Sequence, residues 1–352
     1  MTSPRHIARE IATWRPVERE PAALVLGGLL LGAPLLIGQA SGHLLEGTLA
    51  GLGVLLVSSS GWAGPVRERA LDLAGTAASG AVAFGLGLVA ARHGAAVPVT
   101  VLIAALAGVT GGVNRLTIKL SILGLVFAVI GWSDAAVPLP TTSAMGWFVI
   151  GAVGAAALTF ARGILELGPL ARDAGPSAVT AAGWRADVYA WHAGIRTIAG
   201  WRFVADLTIC TALAGLVTHL WPAPHATWTV LTVSLVVQRD RRAGEVRIFE
   251  RGVGTAVGVV VAAALLSEGV PTWLIILGVV LIGAVRPHVK RANYTLYAAL
   301  MTPLVVLLTS IGRTRLPGLL SARLEYTAVG CLIALIVGAA FDITWPRRPS
   351  ES

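Results

Sequence analysis

The stretch "TWTVLTVSLVVQRDRRAGEVRIFERGVGTAVG", Thr227 to Gly258, begins as apolar as a membrane span. It then carries eight charges between Arg239 and Arg251 and turns apolar again on a glycine ladder. Those charges are either part of a soluble active site or a turn outside a bilayer, and composition decides between the two. Hydrophobic residues make up 55% of the 352-residue chain and charged residues 13%, against about 25% charged in a soluble domain. With a mean hydropathy of +0.77, the chain reads as an all-α integral membrane protein and the charges as a turn.

A membrane-crossing helix needs about 20 apolar residues, so the length accommodates about twelve spans. Apolar segments fall near 22–40, 44–59, 72–91, 97–113, 116–132, 143–162, 203–220, 226–238, 252–268, 271–286, 293–309 and 322–343. Several are short and glycine-rich, which suits discontinuous helices. Residues 1–19 hold four arginines and no apolar core, so no cleavable signal peptide is expected there. With loops alternating sides, all but four of the 27 Lys and Arg (Arg92, Arg313, Arg315 and Arg323) fall on the side of both termini. The positive-inside bias then makes that side cytoplasmic, in a plasma or inner membrane. The net charge of +9 is therefore topology, and no nucleic-acid partner is needed to explain it. Cys210 and Cys331 lie in apolar runs, which argues against a disulfide framework or a metal site.

The chain also repeats itself. "TLAGLGVLLVSSSGWAGPVRERALDLAGTAASG" from Thr48 aligns without gaps on the stretch from Thr227, and the same offset of 179 pairs Asn114 with Asn293. Upstream, "REIATWRPV" from Arg9 matches "RTIAGWRFV" from Arg196. Ile7, Ile11 and Trp14 in one half, and Val188, Trp191, Ile195 and Ile198 in the other, fall at helical spacing among arginines, the pattern of helices lying in the membrane interface. The expected layout is two parallel six-helix repeats, each preceded by such a helix and related by a pseudo-two-fold along the membrane normal. Residues 1–165 form the first repeat, 166–200 a cytoplasmic linker with the second interfacial helix, 201–345 the second repeat and 346–352 a tail.

Trp228 to Val233, then Gln238, a basic turn, and "ERGVGTAVG" from Glu250 resemble the signature of the fusaric acid resistance and aromatic acid exporter family, which also takes in the plant aluminium-activated malate transporters. The resemblance implies a secondary exporter of hydrophobic or aromatic carboxylic acids, driven by the proton motive force and assembled as a homodimer. It gives Trp228, Gln238 and Arg251 roles in substrate binding. An anion channel of the malate type and a major facilitator transporter are the alternatives; "QRDRRAG" matches the loop signature of the latter only in part.

Asn114 and Asn293 precede spans five and eleven, with Arg115 and Lys119 near one and Lys290 and Arg291 near the other. The plain reading is a helix N-cap. The functional one is an anion site, because a helix N-terminus presents free N–H groups and partial positive charge. Gly254 and Gly258, with Thr255 between them, form a face for close helix packing. Ionisable groups deep in the spans are scarce, and Asp206 is the best candidate for proton coupling. No phosphate-binding loop or hydrolase motif occurs, so neither a cofactor nor catalysis is expected, and the partners are a small organic anion and membrane lipid.

Overall fold

The computed structural model describes residues 3–17, 21–58, 66–167, 181–223, 225–266, 270–310 and 318–344. These residues form fourteen α-helices: α1 (Pro4–Ala12), α2 (Pro21–Ser41), α3 (Leu44–Val57), α4 (Val66–Arg92), α5 (Ala96–Thr110), α6 (Arg115–Ser133), α7 (Thr141–Leu167), α8 (Ala181–Ile195), α9 (Ile198–Leu220), α10 (Trp228–Val236), α11 (Arg241–Leu265), α12 (Thr272–Ala292), α13 (Tyr294–Ser310) and α14 (Leu319–Thr344). Among the described residues there is no strand. The tail at 346–352, and residues 168–180 of the expected linker, lie outside the described residues.

Eight of these helices are long and apolar enough to cross a membrane. Their outward faces carry residues such as Val260, 69% exposed, and Ile37, 67% exposed. Such a surface is costly in water, about 1.5–3 kcal/mol for each large apolar side chain, and costs nothing against lipid. Residues 44–57, 96–110 and 294–308 make shorter apolar helices. The eighth apolar segment, expected over 226–238, is helical for only the nine residues of α10, about 14 Å at 1.5 Å per residue.

The short helices α3 and α10 are the innermost. Every residue from Gly47 to Val57 of α3 is buried, as is all of α10 except Leu235. A helix apolar on all sides has no solvent or lipid face and must be surrounded. Small residues permit that enclosure. Gly53 of α3 lies against the Phe148 carbonyl of α7, and Gly330 of α14 lies 2.9 Å, measured from an ideal Cβ, from the Thr229 carbonyl of α10. Gly254 and Gly258 seat α11 on α13: a Cβ at Gly254 would fall 2.5 Å from the Thr295 carbonyl, and one at Gly258 would meet that of Ala299.

Neither apolar core is confined to one half of the sequence. The first joins α2, α3, α4 and α7 to α12 and α13 through residues such as Leu31, Leu56, Phe148, Ile276 and Leu304. The second joins α9, α10, α11 and α14 to α5 and α6 through Ala104, Leu125, Leu207, Val233 and Ala262. Helix α2 packs on α12, and α9 on α5.

Both described ends of the chain lie at one end of the bundle. The Arg15 amide donates to the Ala292 carbonyl at 2.9 Å, where α12 ends. Asp342, near the end of α14, pairs with Arg241, where α11 begins. Helix α1 packs on α11 and α8 on α9, and the Trp191 indole donates to the Val109 carbonyl of α5 at 2.8 Å.

Candidate functional site

Helix α10 stops because its backbone turns extended at Val237, and α11 restarts at Arg241 with Asp240 as N-cap, its carboxylate accepting from the Ala243 amide at 3.1 Å. The interruption leaves Gln238 and Arg239 on the wall of a cavity of about 310 Å³, shared with Lys119 of α6, Phe203 of α9 and Lys290 of α12. Lys119 Nζ donates to both oxygens of Asp72, at 2.6 and 2.8 Å. Arg239 donates to the Gly108 carbonyl at 3.2 Å and stands over the Phe203 ring, 5.0 Å from its centroid. Burial pulls the Arg239 guanidinium below its ordinary value. Gln238 Nε2 donates to the Leu235 carbonyl at 3.3 Å. Three cations thus face one cavity, and Asp72 is bound to one of them.

A neighbouring cavity of about 440 Å³ at the same end is lined by Arg15, Arg242, Arg247, Arg291, Asn293 and Glu250, among others, and shares Lys290. The Asn293 amide is occupied there. Its Nδ2 donates to the Ile11 and Thr13 carbonyls, each at 2.9 Å, and its Oδ1 accepts from the Leu296 amide at 2.8 Å. Asn114 caps α6 reciprocally with Thr117, both bonds at 2.9 Å. The asparagine side chains thus bond protein groups at both helix starts, and only Asn293 lines a described cavity. Arg115 opens α6, and its side chain lies outside the described residues.

Asp206 is half-buried on α9 and accepts from Cys210 Sγ at 3.4 Å. Arg202, Arg241 and Asp342 lie within its electrostatic reach. Arg202 and Arg241 both bond Asp342, the second at 3.3 Å, so Asp206 belongs to an ionic cluster where α9 and α11 begin and α14 ends.

A third group lies deeper. Trp228, 2% exposed, opens α10; His225 stacks on one side of its indole, centroids 4.4 Å apart. The guanidinium of Arg323 from α14 stands 4.8 Å from the ring centroid. Arg323 is fully buried, and none of its three guanidinium nitrogens meets a hydrogen-bond acceptor. Arg251 of α11, 3% exposed, lies within electrostatic reach of Arg323, and its Nε is also unmatched. Beyond His225 and Thr227 opens a cavity of about 830 Å³ towards the far end of the bundle, lined also by Trp132, Thr218 and His219. From the sequence alone Arg323 reads as a basic residue flanking a span. The signal that marks it is its spacing from a threonine, Arg323 to Thr327, which duplicates Arg251 to Thr255.

Residues 211–337, from within α9 to within α14, match the fusaric acid resistance protein-like family. That region contains Trp228, Gln238, Arg251, Gly254, Thr255, Gly258, Arg291, Asn293 and Arg323. No curated protein and no solved structure matches the chain.

Proposed function

We propose that the chain is a multi-pass membrane transporter of the fusaric acid resistance type, a reading supported by the family match over residues 211–337 and by eight long apolar helices, and that it exports hydrophobic or aromatic carboxylic acids from the cytoplasm. The observation that carries this reading is the cavity where α10 breaks: Lys119, Arg239 and Lys290 face it together, and clustered positive charge raises the local concentration of anions. Gln238 supplies a neutral hydrogen-bonding group, while Arg291 and Asn293 line the adjoining approach. The cytoplasmic placement of this end, and of both termini, rests on the bias of basic residues.

Two parallel six-helix repeats account for the packing. At the offset of 179 the contacts of α4 with α6 and α3 with α7 correspond to those of α11 with α13 and α10 with α14, and α12 with α2 corresponds to α5 with α9. The cavity at α10 then borders the pseudo-two-fold axis, where α10 meets α6 and α3 meets α13.

Proton coupling, on this reading, runs through Asp206. An anion channel is the second reading, favoured by the way Asp72 and Asp342 are both tied up with cations. Flux of benzoate into proteoliposomes, with and without a pH gradient, separates the two. Export predicts a rate that follows the gradient and an Asp206→Asn variant that conducts without following it. A wild-type rate indifferent to the gradient indicates the channel, and absence of carboxylate flux in both conditions overturns carboxylate transport.

A further inference from the structure

We propose that Arg251 and Thr255 of α11, with Arg323 and Thr327 of α14, form a dehydrated site for one small anion, the carboxylate of a transported acid or a chloride ion, beneath the Trp228 ring. Arg323 motivates this first. A guanidinium carries five donors in a planar fork, and a buried charge left without partners is strongly destabilising. The indole face attracts the Arg323 cation but offers it no hydrogen-bond acceptor. Arg251 adds a second positive charge nearby, so the pair together calls for an anion.

The hydroxyls are the second observation. Several buried hydroxyls of the bundle bond back to the carbonyl four residues earlier, as Thr232 does to Trp228, Ser234 to Val230 and Thr302 to Ala298, whereas those of Thr211, Thr227 and Thr229 meet no partner and have no arginine one turn before them. Thr255 and Thr327 are equally buried, and neither hydroxyl has a hydrogen-bond partner. Each stands four residues after its arginine, on the same helical face.

Register is the third. Cys331 Sγ donates to the Ile248 carbonyl at 3.8 Å, and Arg241 at the start of α11 bonds Asp342 near the end of α14, so the two helices run antiparallel. Three residues up α11 from Ile248 is Arg251, and four back along α14 from Cys331 is Thr327. A further turn, four residues on each helix, brings Thr255 level with Arg323. The four groups thus make two arginine–threonine rungs in which both hydroxyls, the Arg251 Nε and all three Arg323 nitrogens are unmatched, an arrangement suited to a compact anion with several lone pairs. As a carboxylate site this rests on the export reading, whereas as an anion site it stands without it.

Sodium benzoate and sodium chloride, titrated separately by calorimetry into the detergent-purified full chain in buffer free of other small anions, test the site. The wild type should bind one anion per chain, and Arg323→Gln should lose that binding. Thr255→Val and Thr327→Val should each weaken it about tenfold, the worth of one hydrogen bond to a charge. Without anion these two variants should melt no lower than wild type, because removing an unpartnered buried hydroxyl forfeits no bond. They keep the test decisive should Arg323→Gln fail to fold. Binding of chloride and benzoate with the same losses identifies a general anion site, and benzoate alone a carboxylate site. Wild-type affinity in both threonine variants, or no binding of either anion to the wild type, overturns the proposal. Binding without benzoate flux in vesicles would refute export and leave the site in place.

Discussion

Asp72 and Arg251 occupy the same position of the two aligned stretches, four residues before Thr76 and Thr255 respectively, and their surroundings differ as sharply as their charges. Asp72 on α4 is bonded through both oxygens to Lys119. Arg251 on α11 is almost completely buried, with an unmatched Nε and another unmatched arginine near it. Similar helices pack in similar pairs, yet one position is electrically closed and the other is open. On the proposed two-repeat layout, repetition reproduces packing because packing depends on small residues and apolar faces. It does not reproduce chemistry, since one substitution at a buried position inverts the charge.

Making the second position resemble the first should have the largest effect. Arg251→Asp sets a fixed carboxylate near Arg323, where it competes with the incoming anion, and benzoate flux in vesicles should fall about a hundredfold, the loss of about 3 kcal/mol of charged hydrogen bonding. Size-exclusion chromatography should still recover folded protein, because the new carboxylate neutralises a neighbour. Flux near the wild-type rate would show that the contrast between the two positions has no functional meaning.

The two asparagine caps sharpen the same comparison on a smaller scale. Asn114 caps α6 alone, whereas Asn293 caps α13 and also holds Ile11 and Thr13 of the N-terminal segment. Asn114→Ala should cost about 1 kcal/mol of stability, the usual worth of a cap. Asn293→Ala should cost about 1 kcal/mol for each further bond lost, and so show the lower melting temperature. Should a binding role exist at either position, affinity for benzoate would fall while the melting temperature stayed put. Equal melting temperatures in the two variants would show that the N-terminal segment is not held by Asn293.

Much of this was legible from composition and period. The helix starts at Asn114 and Asn293 and the close seats at Gly254 and Gly258 carry local signals, a capping residue and small residues four apart. The charge run marks a break but not its length, because Arg241 to Arg251, expected as a turn, already belong to α11, where Glu245, Glu250 and Arg251 are buried. Gln238 could be placed at the break by the same charge run. Helix α10 proved shorter than its apolar run, because hydropathy records burial and does not distinguish a helix that spans from one enclosed within a bundle. Arg323 was hidden for a related reason. A basic residue near a span end reads as an interfacial flank, and only packing against Trp228 of another helix shows it to be internal. The meeting of Lys119, Phe203, Gln238 and Lys290 around one cavity likewise brings together residues 35 to 171 positions apart, which no local pattern encodes.

The proposed carboxylate export depends most directly on the basic cavity at the end of α10. Initial rates of benzoate flux against benzoate concentration, in proteoliposomes holding wild type or the Arg239→Gln, Lys290→Gln double variant, measure its contribution. Two lost charge contacts of about 1 kcal/mol each should raise KM by about tenfold or more, with the melting temperature close to that of the wild type. An unchanged KM in a folded double variant would contradict the assignment of this cavity as the place where organic anions enter.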